Sequence, residues 1–410
     1  MTRERIVITG IGAVTPFGAG VEVLWRGLDR GKQPIERVEL FDVAPHRTHL
    51  AATVPGDALE LPTAVLARHP SRTLSRTDRF ALIAAHEAWV MAELGEPGSV
   101  PAAGLFFGSS TGGMFEGERA YRALVRSRPE RARARAFAAQ PNGTPAEEIA
   151  RVFGLGGPTE TLATACSAST MALEAALDAL RAGETAIALA GGSDGLCQTT
   201  FGGFNSLRAV DPGRARPFRA DRAGLSLGEG AGLLVLETES HARARGARPL
   251  AMFAGAASTC DASHMTAPHP EGLGAARAMT GALADAGLAA TSIAFINAHG
   301  SGTPHNDAAE ARAIRAVFGA SAPPVTSTKG SIGHSLGACG SIEAIVTLLS
   351  LVRESVHPTP GDGPVDVDAE VDLVLGAPRA LRGAEAALSV NLAFGGANAA
   401  LVIARPEVRS

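Results

Sequence analysis

Short apolar runs alternate with helix-like stretches along most of this 410-residue chain. The runs RIVITG, TAIALAGG and AGLLVLET are rich in aliphatic and β-branched residues and lie beside glycine or polar residues, as buried strands do. Longer stretches at 78–94, 168–182 and 273–286 have helical length and are rich in alanine. Because buried strands that alternate with crossover helices form a sheet covered on both faces, this pattern predicts an α/β fold. Further strands are predicted at IAFINAHG, VDLVLG, LSVNLAFGG and NAALVIA.

The two halves of the chain resemble each other. The segment TACSASTMALEAALDAL aligns with GHSLGACGSIEAIVTLL, and this register matches Glu174 with Glu343. The chain is also long for a single core, and internal similarity favours a duplicated architecture over two unrelated domains. We therefore predict an N-terminal half at 1–245 and a C-terminal half at 246–410.

The composition excludes several classes of protein. A net charge of −4 argues against general nucleic-acid binding. No apolar run reaches the roughly 18 residues that a membrane-spanning helix needs, and the first residues lack the apolar stretch of a secretory signal. The four cysteines, at 166, 197, 260 and 339, have no paired spacing, so neither a disulfide framework nor a C-x-x-C metal site is predicted. We expect reduced thiols and a cytoplasmic protein.

Cys166 is a candidate nucleophile in the segment TLATACSAST. The alanine- and leucine-rich residues that follow predict a helix that ends at Gly183, which places Cys166 in or near the first turn. Backbone N–H groups and the positive end of the helix dipole favour a thiolate at such a position. The alternative is a small buried thiol that fills a tight contact between a helix and a strand.

Two of the eleven histidines stand beside glycines at strand or helix boundaries. His299 directly follows the predicted strand IAFIN, and His334 precedes a helix rich in small residues. Either histidine alone fits a structural role. Together with Cys166 they predict a nucleophile and two imidazoles that meet at one end of an α/β sheet. Their spacing matches no zinc motif, so we predict neither a metal nor a cofactor.

Lysine use singles out one further position. The chain has two lysines, Lys32 and Lys329, while the other 35 of its 37 basic residues are arginine. Retention of Lys329 five residues before His334 favours a site that needs a compact ammonium, and the alternative is chance retention, as at Lys32. Glu310 lies on the helix after His299, and a buried ion pair between Lys329 and Glu310 would be retained only to position other groups.

A basic stretch lies between residues 119 and 135, which contains seven arginines and one acidic residue, Glu130. Such a stretch is either a solvated helix face or a docking patch for an acidic partner. Arg131 and Arg133 are the docking candidates.

Four motifs in this sequence resemble the signatures of the β-ketoacyl-acyl-carrier-protein synthases. They are TACSAS around Cys166, NAHGSGTPHNDAAE around His299, STKGSIGHSLGACG around Lys329 and His334, and NLAFGGAN near the C-terminus. The segments VITGIGAVTPFG and RPFRADRAGLSLGEGAGLLVLE also match, so the resemblance extends over essentially the full chain in order.

The resemblance implies a thiolase-like fold, in which two βαβαβαββ halves form a five-layered αβαβα sandwich, and usually a dimer. It implies that Cys166 accepts an acyl chain from an acyl carrier protein. His299 and His334 would hold the malonyl thioester carbonyl while CO2 leaves, and the enolate would attack the acyl group. The product would be a 3-oxoacyl thioester two carbons longer.

The same resemblance assigns supporting roles. The backbone N–H of Phe394, with that of the nucleophile, matches the family's oxyanion hole. Lys329 and Glu310 resemble the pair that holds the histidines, and the hydroxyls of Ser301 and Thr303 match positions that meet the pantetheine arm.

The sequence departs from the family at three positions. Leu392 stands where a gating phenylalanine is common, Thr111 replaces a bulkier apolar residue of the acyl tunnel, and Ser301 replaces threonine. These departures predict a specialised acyl pocket, such as one for a polyketide or polyene chain.

Three other functions are alternatives to condensation. A non-condensing chain-length partner would lack the cysteine, whereas Cys166 is present. A coenzyme A thiolase needs a second cysteine where this chain has NLAFGGAN. A Cys-His hydrolase needs an Asp or Asn orienting group, and no residue stands out for that role. The sequence leaves open the acyl chain, the pathway, and whether the partner is a second copy or a related subunit.

Overall fold

The computed structural model describes residues 3–69, 74–126 and 134–406. The strands are β1 Ile6–Thr15, β2 Gly18–Ala19, β3 Glu36–Arg37, β4 Leu50–Ala51, β5 Gly104–Gly108, β6 Thr159–Leu162, β7 Ile187–Asp194, β8 Gly230–Thr238, β9 Ala251–Cys260, β10 Ile293–Asn297, β11 Val325–Thr326, β12 Ser355–Val356, β13 Arg379–Ala380, β14 Ala386–Leu392 and β15 Ala397–Ala404. The helices are α1 Val21–Asp29, α2 Thr63–Arg68, α3 Arg76–Met91, α4 Met114–Val125, α5 Ala134–Ala138, α6 Thr144–Phe153, α7 Ala168–Ala182, α8 Gln198–Ser206, α9 Glu239–Ala244, α10 Leu273–Ala286, α11 Pro304–Phe318, α12 Lys329–Ile332 and α13 Cys339–Val352.

A mixed sheet runs through the described part of the chain. Its strand order is β11-β10-β14-β15-β9-β1-β8-β7-β5-β6, and β2 pairs with β1. On one side the outer strands β5, β6 and β7 pair with one another in parallel, and on the other side β10, β11 and β14 do the same. The pairs between these outer sets, from β7–β8 to β14–β15, are antiparallel. The two sets of strands are joined where β1 meets β9, through Val7–Met252 and Ile8–Ala251.

The helices form three layers around these strands. Helix α3 packs outside β1 and β8, and α10 packs outside β9 and β15. Helices α7 and α13 lie between the two sets of strands and contact each other. The order helix, sheet, helices, sheet, helix is the five-layered thiolase-like architecture, so the predicted fold class is confirmed.

The central helix α13 is buried from its first residue to Leu351. A helix covered on every side is apolar around its whole circumference, which explains the run IVTLLSLV. Small residues allow the two central helices to approach closely. A Cβ atom on Gly340 would lie 1.9 Å from Oγ1 of Thr170 on α7.

The same turn precedes both central helices. Ala165 and Leu336 have φ values of 50° and 53°, and each begins a 3-10 turn that leads into α7 or α13. This repetition agrees with the predicted duplication. Matching the turns places Glu174 opposite Ile345, so the predicted register of Glu174 with Glu343 is wrong by two residues. The division of the chain at 245 and 246 stays a prediction, and it falls in the loop between α9 and β9.

The predicted strand VDLVLG does not form. Its backbone lies beside β11, but only Leu373 makes a bridge, to Val325. The reason is the length of β11, which has two residues and therefore offers little edge to pair with. Within the described part, no helix combines the length and apolar composition needed to cross a membrane.

Candidate active site

Cys166 lies in the 3-10 turn Ala165–Ser167, directly before α7 begins at Ala168. The turn starts with Ala165 in the left-handed region, a conformation that costs energy for a residue with a Cβ atom. The hydroxyl of Ser110 donates a hydrogen bond to the Ala165 carbonyl at 3.1 Å, which helps to hold this turn. The sulfur-bearing side chain is 6% exposed.

The environment of Cys166 does not favour a resting thiolate. Burial raises the pKa of the Cys166 thiol to about 11. The positive charge of Lys329 and the backbone N–H of Phe394 lower the pKa, but burial outweighs them. The expectation of a thiolate at this helix start is therefore wrong for the unloaded protein, because burial of the thiol outweighs the groups that favour its charge.

One cavity of about 560 Å³ brings the predicted reactive side chains together. Cys166 comes from the turn before α7, His299 from the loop after β10, and His334 from the loop after α12. Of the other predicted residues, four also line this cavity: Ser301, Thr303, Leu392 and Phe394.

The two imidazoles lie edge to face, with ring centroids 5.2 Å apart and planes at 78°. Nδ1 of His334 accepts a hydrogen bond from the Leu336 backbone N–H at 3.0 Å, so its ring proton belongs on Nε2. Nδ1 of His299 is buried and has no hydrogen-bond partner among the described residues.

Both histidines are neutral at physiological pH. Burial, and then the positive charge of Lys329, holds the pKa of each imidazole well below its usual value. A neutral imidazole carries one N–H donor, and a cavity with two such donors can bind a carbonyl oxygen that gains negative charge.

Lys329 pairs with a different carboxylate from the one predicted. Its Nζ lies 2.6 Å from Oε1 of Glu343 on α13, and both side chains are almost fully buried. Burial opposes the ammonium charge, but the facing Glu343 carboxylate helps to raise the pKa of Lys329 above its usual value. The predicted Lys329–Glu310 ion pair is therefore wrong, because α13 supplies the facing carboxylate.

Glu310 holds the His299 loop by its backbone. Its carboxylate accepts hydrogen bonds from the N–H of His299 at 2.7 Å and of Gly300 at 2.8 Å. Burial raises the pKa of Glu310 to about 8, although these donors oppose the shift. Glu310 thus supports the loop of His299, as predicted. It does so by accepting backbone hydrogen bonds and not by pairing with Lys329.

Thr111 does not line the cavity. Its hydroxyl donates a hydrogen bond to the buried Asp194 carboxylate at 2.8 Å. Asp194 also accepts from the backbone N–H groups of Ser110, Thr111 and Gly337 and from the Ser109 hydroxyl. The sequence analysis missed Asp194, which ties the loop after β5 to the turn before α13. Its only signal in the sequence is a carboxylate at the end of a buried strand.

The segment after β14 forms one wall of the cavity. The Phe394 ring stacks on Phe204, with centroids 5.6 Å apart and planes at 22°. Leu392 is 5% exposed and borders the same space.

Ser301 and Thr303 face each other with hydroxyl oxygens 2.9 Å apart.

The predicted docking residues Arg131 and Arg133 lie outside the described residues. The described part of the basic stretch begins on α4, where the guanidinium of Arg122 donates to the Gln198 side chain. A groove beside α4 and α8 is lined by Arg122 and Arg126 together with Glu118.

Comparisons with known proteins agree with this geometry. The family described as "Beta-ketoacyl synthase, N-terminal domain" matches residues 3–242, and "Beta-ketoacyl synthase, C-terminal domain" matches residues 250–361. A 3-oxoacyl-[acyl-carrier-protein] synthase 2 of Staphylococcus aureus (strain COL) is 34% identical over 414 residues, which is 99% of each chain. A putative polyketide beta-ketoacyl synthase 1 of Streptomyces halstedii is 37% identical over 432 residues, again 99% of each.

A solved structure has the same fold over nearly the whole chain. The ishigamide ketosynthase/chain length factor superposes with a TM-score of 0.90 and 32% identity, and the match covers 98% of this chain and 100% of that one. With the family match over most of its length, this chain belongs to the β-ketoacyl synthase family of condensing enzymes.

Proposed function

We propose that this protein is a 3-oxoacyl-[acyl-carrier-protein] synthase that condenses malonyl-carrier protein with an acyl chain held on Cys166. The observation that carries the proposal is the shared cavity, in which one thiol faces two neutral imidazoles. The acyl carrier protein is the proposed partner, since the curated relative from Staphylococcus aureus is named for that substrate.

The first step loads the acyl chain onto the nucleophile. The Cys166 sulfur forms a bond to the acyl carbon, the bond from that carbon to the carrier sulfur breaks, and the thiol proton ends on the released carrier thiol. Because burial keeps the thiol neutral, its proton leaves as the new bond forms. The backbone N–H groups of Phe394 and Cys166 lower the pKa of this thiol, and we expect them to stabilise the oxyanion that forms beside it.

The second step removes CO2 from the malonyl group. The carbon–carbon bond to the carboxylate breaks, and its electron pair moves onto the thioester as an enolate whose oxygen carries the charge. Nε2–H of His334 and the N–H of His299 stabilise that oxygen. Each donor is worth on the order of 3 kcal/mol in the transition state, by comparison with oxyanion holes. Neutral imidazoles suit this role, and Lys329 helps to keep them neutral.

The third step joins the two units. The enolate carbon attacks the acyl carbonyl, the bond to the Cys166 sulfur breaks, and the resulting thiolate takes up a proton from solvent. The product is a 3-oxoacyl thioester on the carrier, two carbons longer than the loaded chain. Ser301 and Thr303 line the cavity and present hydroxyls to the pantetheine arm.

The thiolase alternative needs a second cysteine at the reacting centre. Cys339 lies close to the nucleophile, but it contacts the Cys166 backbone and does not line the cavity. Cys166 is the one cysteine of the cavity wall among the described residues. This arrangement favours decarboxylating condensation.

We propose that the protein extends a carrier-bound chain of fatty acid or specialised polyketide biosynthesis. One relative is named as a 3-oxoacyl-[acyl-carrier-protein] synthase, another as a putative polyketide beta-ketoacyl synthase, and one similar solved structure is named as a ketosynthase/chain length factor. We propose a dimer, with either a second copy or a related ketosynthase-like subunit. A reducing compartment such as the cytoplasm suits the four free cysteines.

The test combines loading and condensation. Acyl-carrier and malonyl-carrier proteins incubated with the enzyme should yield CO2 and a 3-oxoacyl chain two carbons longer. Cys166→Ala should abolish acyl loading, and Cys166→Gln should still release CO2 from malonyl-carrier protein, because the histidines act on that substrate separately. An intact malonyl thioester after incubation with the wild-type enzyme would overturn the proposal.

A further inference from the structure

A chain of buried polar contacts lies behind the nucleophile. Cys339 is the first residue of α13 and is 2% exposed. Its sulfur lies 3.1 Å from the backbone carbonyl oxygen of Cys166. A carbonyl oxygen only accepts, so the thiol of Cys339 donates this hydrogen bond. The turn that presents the reactive sulfur is therefore tied to the other central helix.

Asn391 of β14 connects Cys339 to the buried ion pair. Its side-chain N–H2 donates to Oε2 of Glu343 at 2.7 Å and lies 3.5 Å from the Cys339 sulfur. Its carbonyl oxygen accepts from the Thr170 hydroxyl at 2.7 Å. This orientation follows from chemistry, because an ionised carboxylate only accepts and must face the N–H2 group.

The contacts form one continuous path. Lys329 binds one oxygen of Glu343, and the other oxygen binds Asn391. Asn391 reaches Cys339, and Cys339 donates to the carbonyl of Cys166. All these side chains are buried, so water does not compete for the hydrogen bonds.

The nucleophile turn needs such support. Ala165 has a φ of 50°, and a residue with a Cβ atom stays in this region only where its surroundings fix it. Ser110 holds the carbonyl of Ala165, and Cys339 holds the carbonyl of the next residue. The two hydrogen bonds fix two successive peptide groups.

We propose that Cys339 is a positioning residue for the nucleophile, which holds the Cys166 turn through its carbonyl while Asn391 links that contact to the Lys329–Glu343 pair. This inference rests on the proposed function. Its specific consequence is that loss of the Cys339 donor weakens acyl transfer to Cys166 and leaves malonyl decarboxylation intact, since the histidines lie on other loops.

The experiment measures the two half-reactions separately. Cys339→Ala should lower the single-turnover rate of acyl loading about fivefold, which is the effect of one net hydrogen bond. The KM for the acyl-carrier substrate should not change. In the Cys166→Gln background, malonyl decarboxylation should be the same with Cys339 or with alanine at position 339. Cys339→Ser keeps a donor and should restore loading to within about twofold of wild type.

Two further variants separate positioning from general stability. Cys197 is also a buried thiol, and its hydrogen bonds are with Thr200, so Cys197→Ala is the matched control and should load at the wild-type rate. Asn391→Ala removes the link between Cys339 and the Lys329–Glu343 pair while Cys339 stays, and it should also slow loading. It provides an independent result if Cys339→Ala does not fold.

The outcomes are distinct. Normal loading in both Cys339→Ala and Asn391→Ala would overturn the inference, as would equal losses in loading and decarboxylation or a failure of serine to rescue. If the wild-type enzyme itself does not condense, the proposed function fails instead. In that case the rate at which iodoacetamide alkylates Cys166, followed by peptide mass, still tests whether Cys339 positions the sulfur.

Discussion

Replacing Glu343 with glutamine removes the negative member of a buried ion pair and leaves the ammonium of Lys329 without its counter-charge. The two side chains are 1% and 2% exposed, and their charged atoms are 2.6 Å apart. Breaking a pair buried to this extent costs about 3–5 kcal/mol, because the remaining charge stays desolvated. We therefore expect Glu343→Gln to lower the free energy of unfolding by about 3–5 kcal/mol.

An exposed pair in the same protein provides the matched control. Arg379 and Asp372 approach to 2.5 Å, but their side chains are 38% and 52% exposed. Water and salt screen such a pair, so Asp372→Asn should cost about 0–1 kcal/mol. Urea unfolding followed by circular dichroism, at one fixed protein concentration, measures both variants.

A double variant separates lost charge pairing from lost packing. Lys329→Met combined with Glu343→Leu removes both charges and keeps most of the volume, so it should recover much of the stability that Glu343→Gln loses. A loss below about 1 kcal/mol for Glu343→Gln, or no recovery in the double variant, would refute the argument that an unpaired buried ammonium dominates.

Three further predictions follow from the site. Alkylation of Cys166 by iodoacetamide should rise with pH through a midpoint near 11, because burial raises the pKa of the thiol to about 11; a midpoint at or below about 8.5, the value of an unperturbed thiol, would contradict this. Malonyl decarboxylation by Cys166→Gln should be constant from about pH 6 to 7, below the range in which Glu310 titrates, since the pKa of His299 and of His334 lies well below the usual value near 6.5, whereas a fall centred near pH 6.5 would show that an imidazole titrates there. Thr111→Val removes a donor to the buried Asp194 carboxylate and should lower the free energy of unfolding by about 1–3 kcal/mol in urea titration, whereas no loss would show that the hydrogen bond adds nothing.

The residues that meet in the cavity could be identified from the sequence because each has a local signal. Cys166 precedes a helix, His299 follows a strand and stands beside a glycine, and His334 directly follows a glycine. In an α/β fold, loops at strand ends converge, so these signals together predicted one site. The alternation of strands and helices predicted the layered fold for the same reason.

The partner of Lys329 could not be predicted in this way. Glu310 and Glu343 both lie on helices near the histidines in sequence, and neither has a local signal that marks it as the partner. The choice depends on how α13 is rotated between the two sets of strands, which is set by packing around its whole surface. Sequence periodicity does not define that rotation, because α13 is buried on every side and has no polar face.

The pKa of the nucleophile also depends on tertiary packing. The position of Cys166 before a helix favours a thiolate, but burial outweighs the helix start. The side-chain contact of Thr111 also depends on tertiary packing. The family resemblance places Thr111 along the acyl tunnel, whereas its contact with Asp194 arises only when β5 and β7 lie side by side.

The measurement that tests the central claim most directly is the mass of the intact enzyme before and after malonyl-carrier protein is added. Incubation with acyl-carrier protein should add one acyl group, and peptide mapping should place it on Cys166. Addition of malonyl-carrier protein should then remove the adduct, release CO2 and produce a 3-oxoacyl chain on the carrier. An enzyme that carries no acyl group on Cys166, or that keeps the group when malonyl-carrier protein is present, would contradict the account.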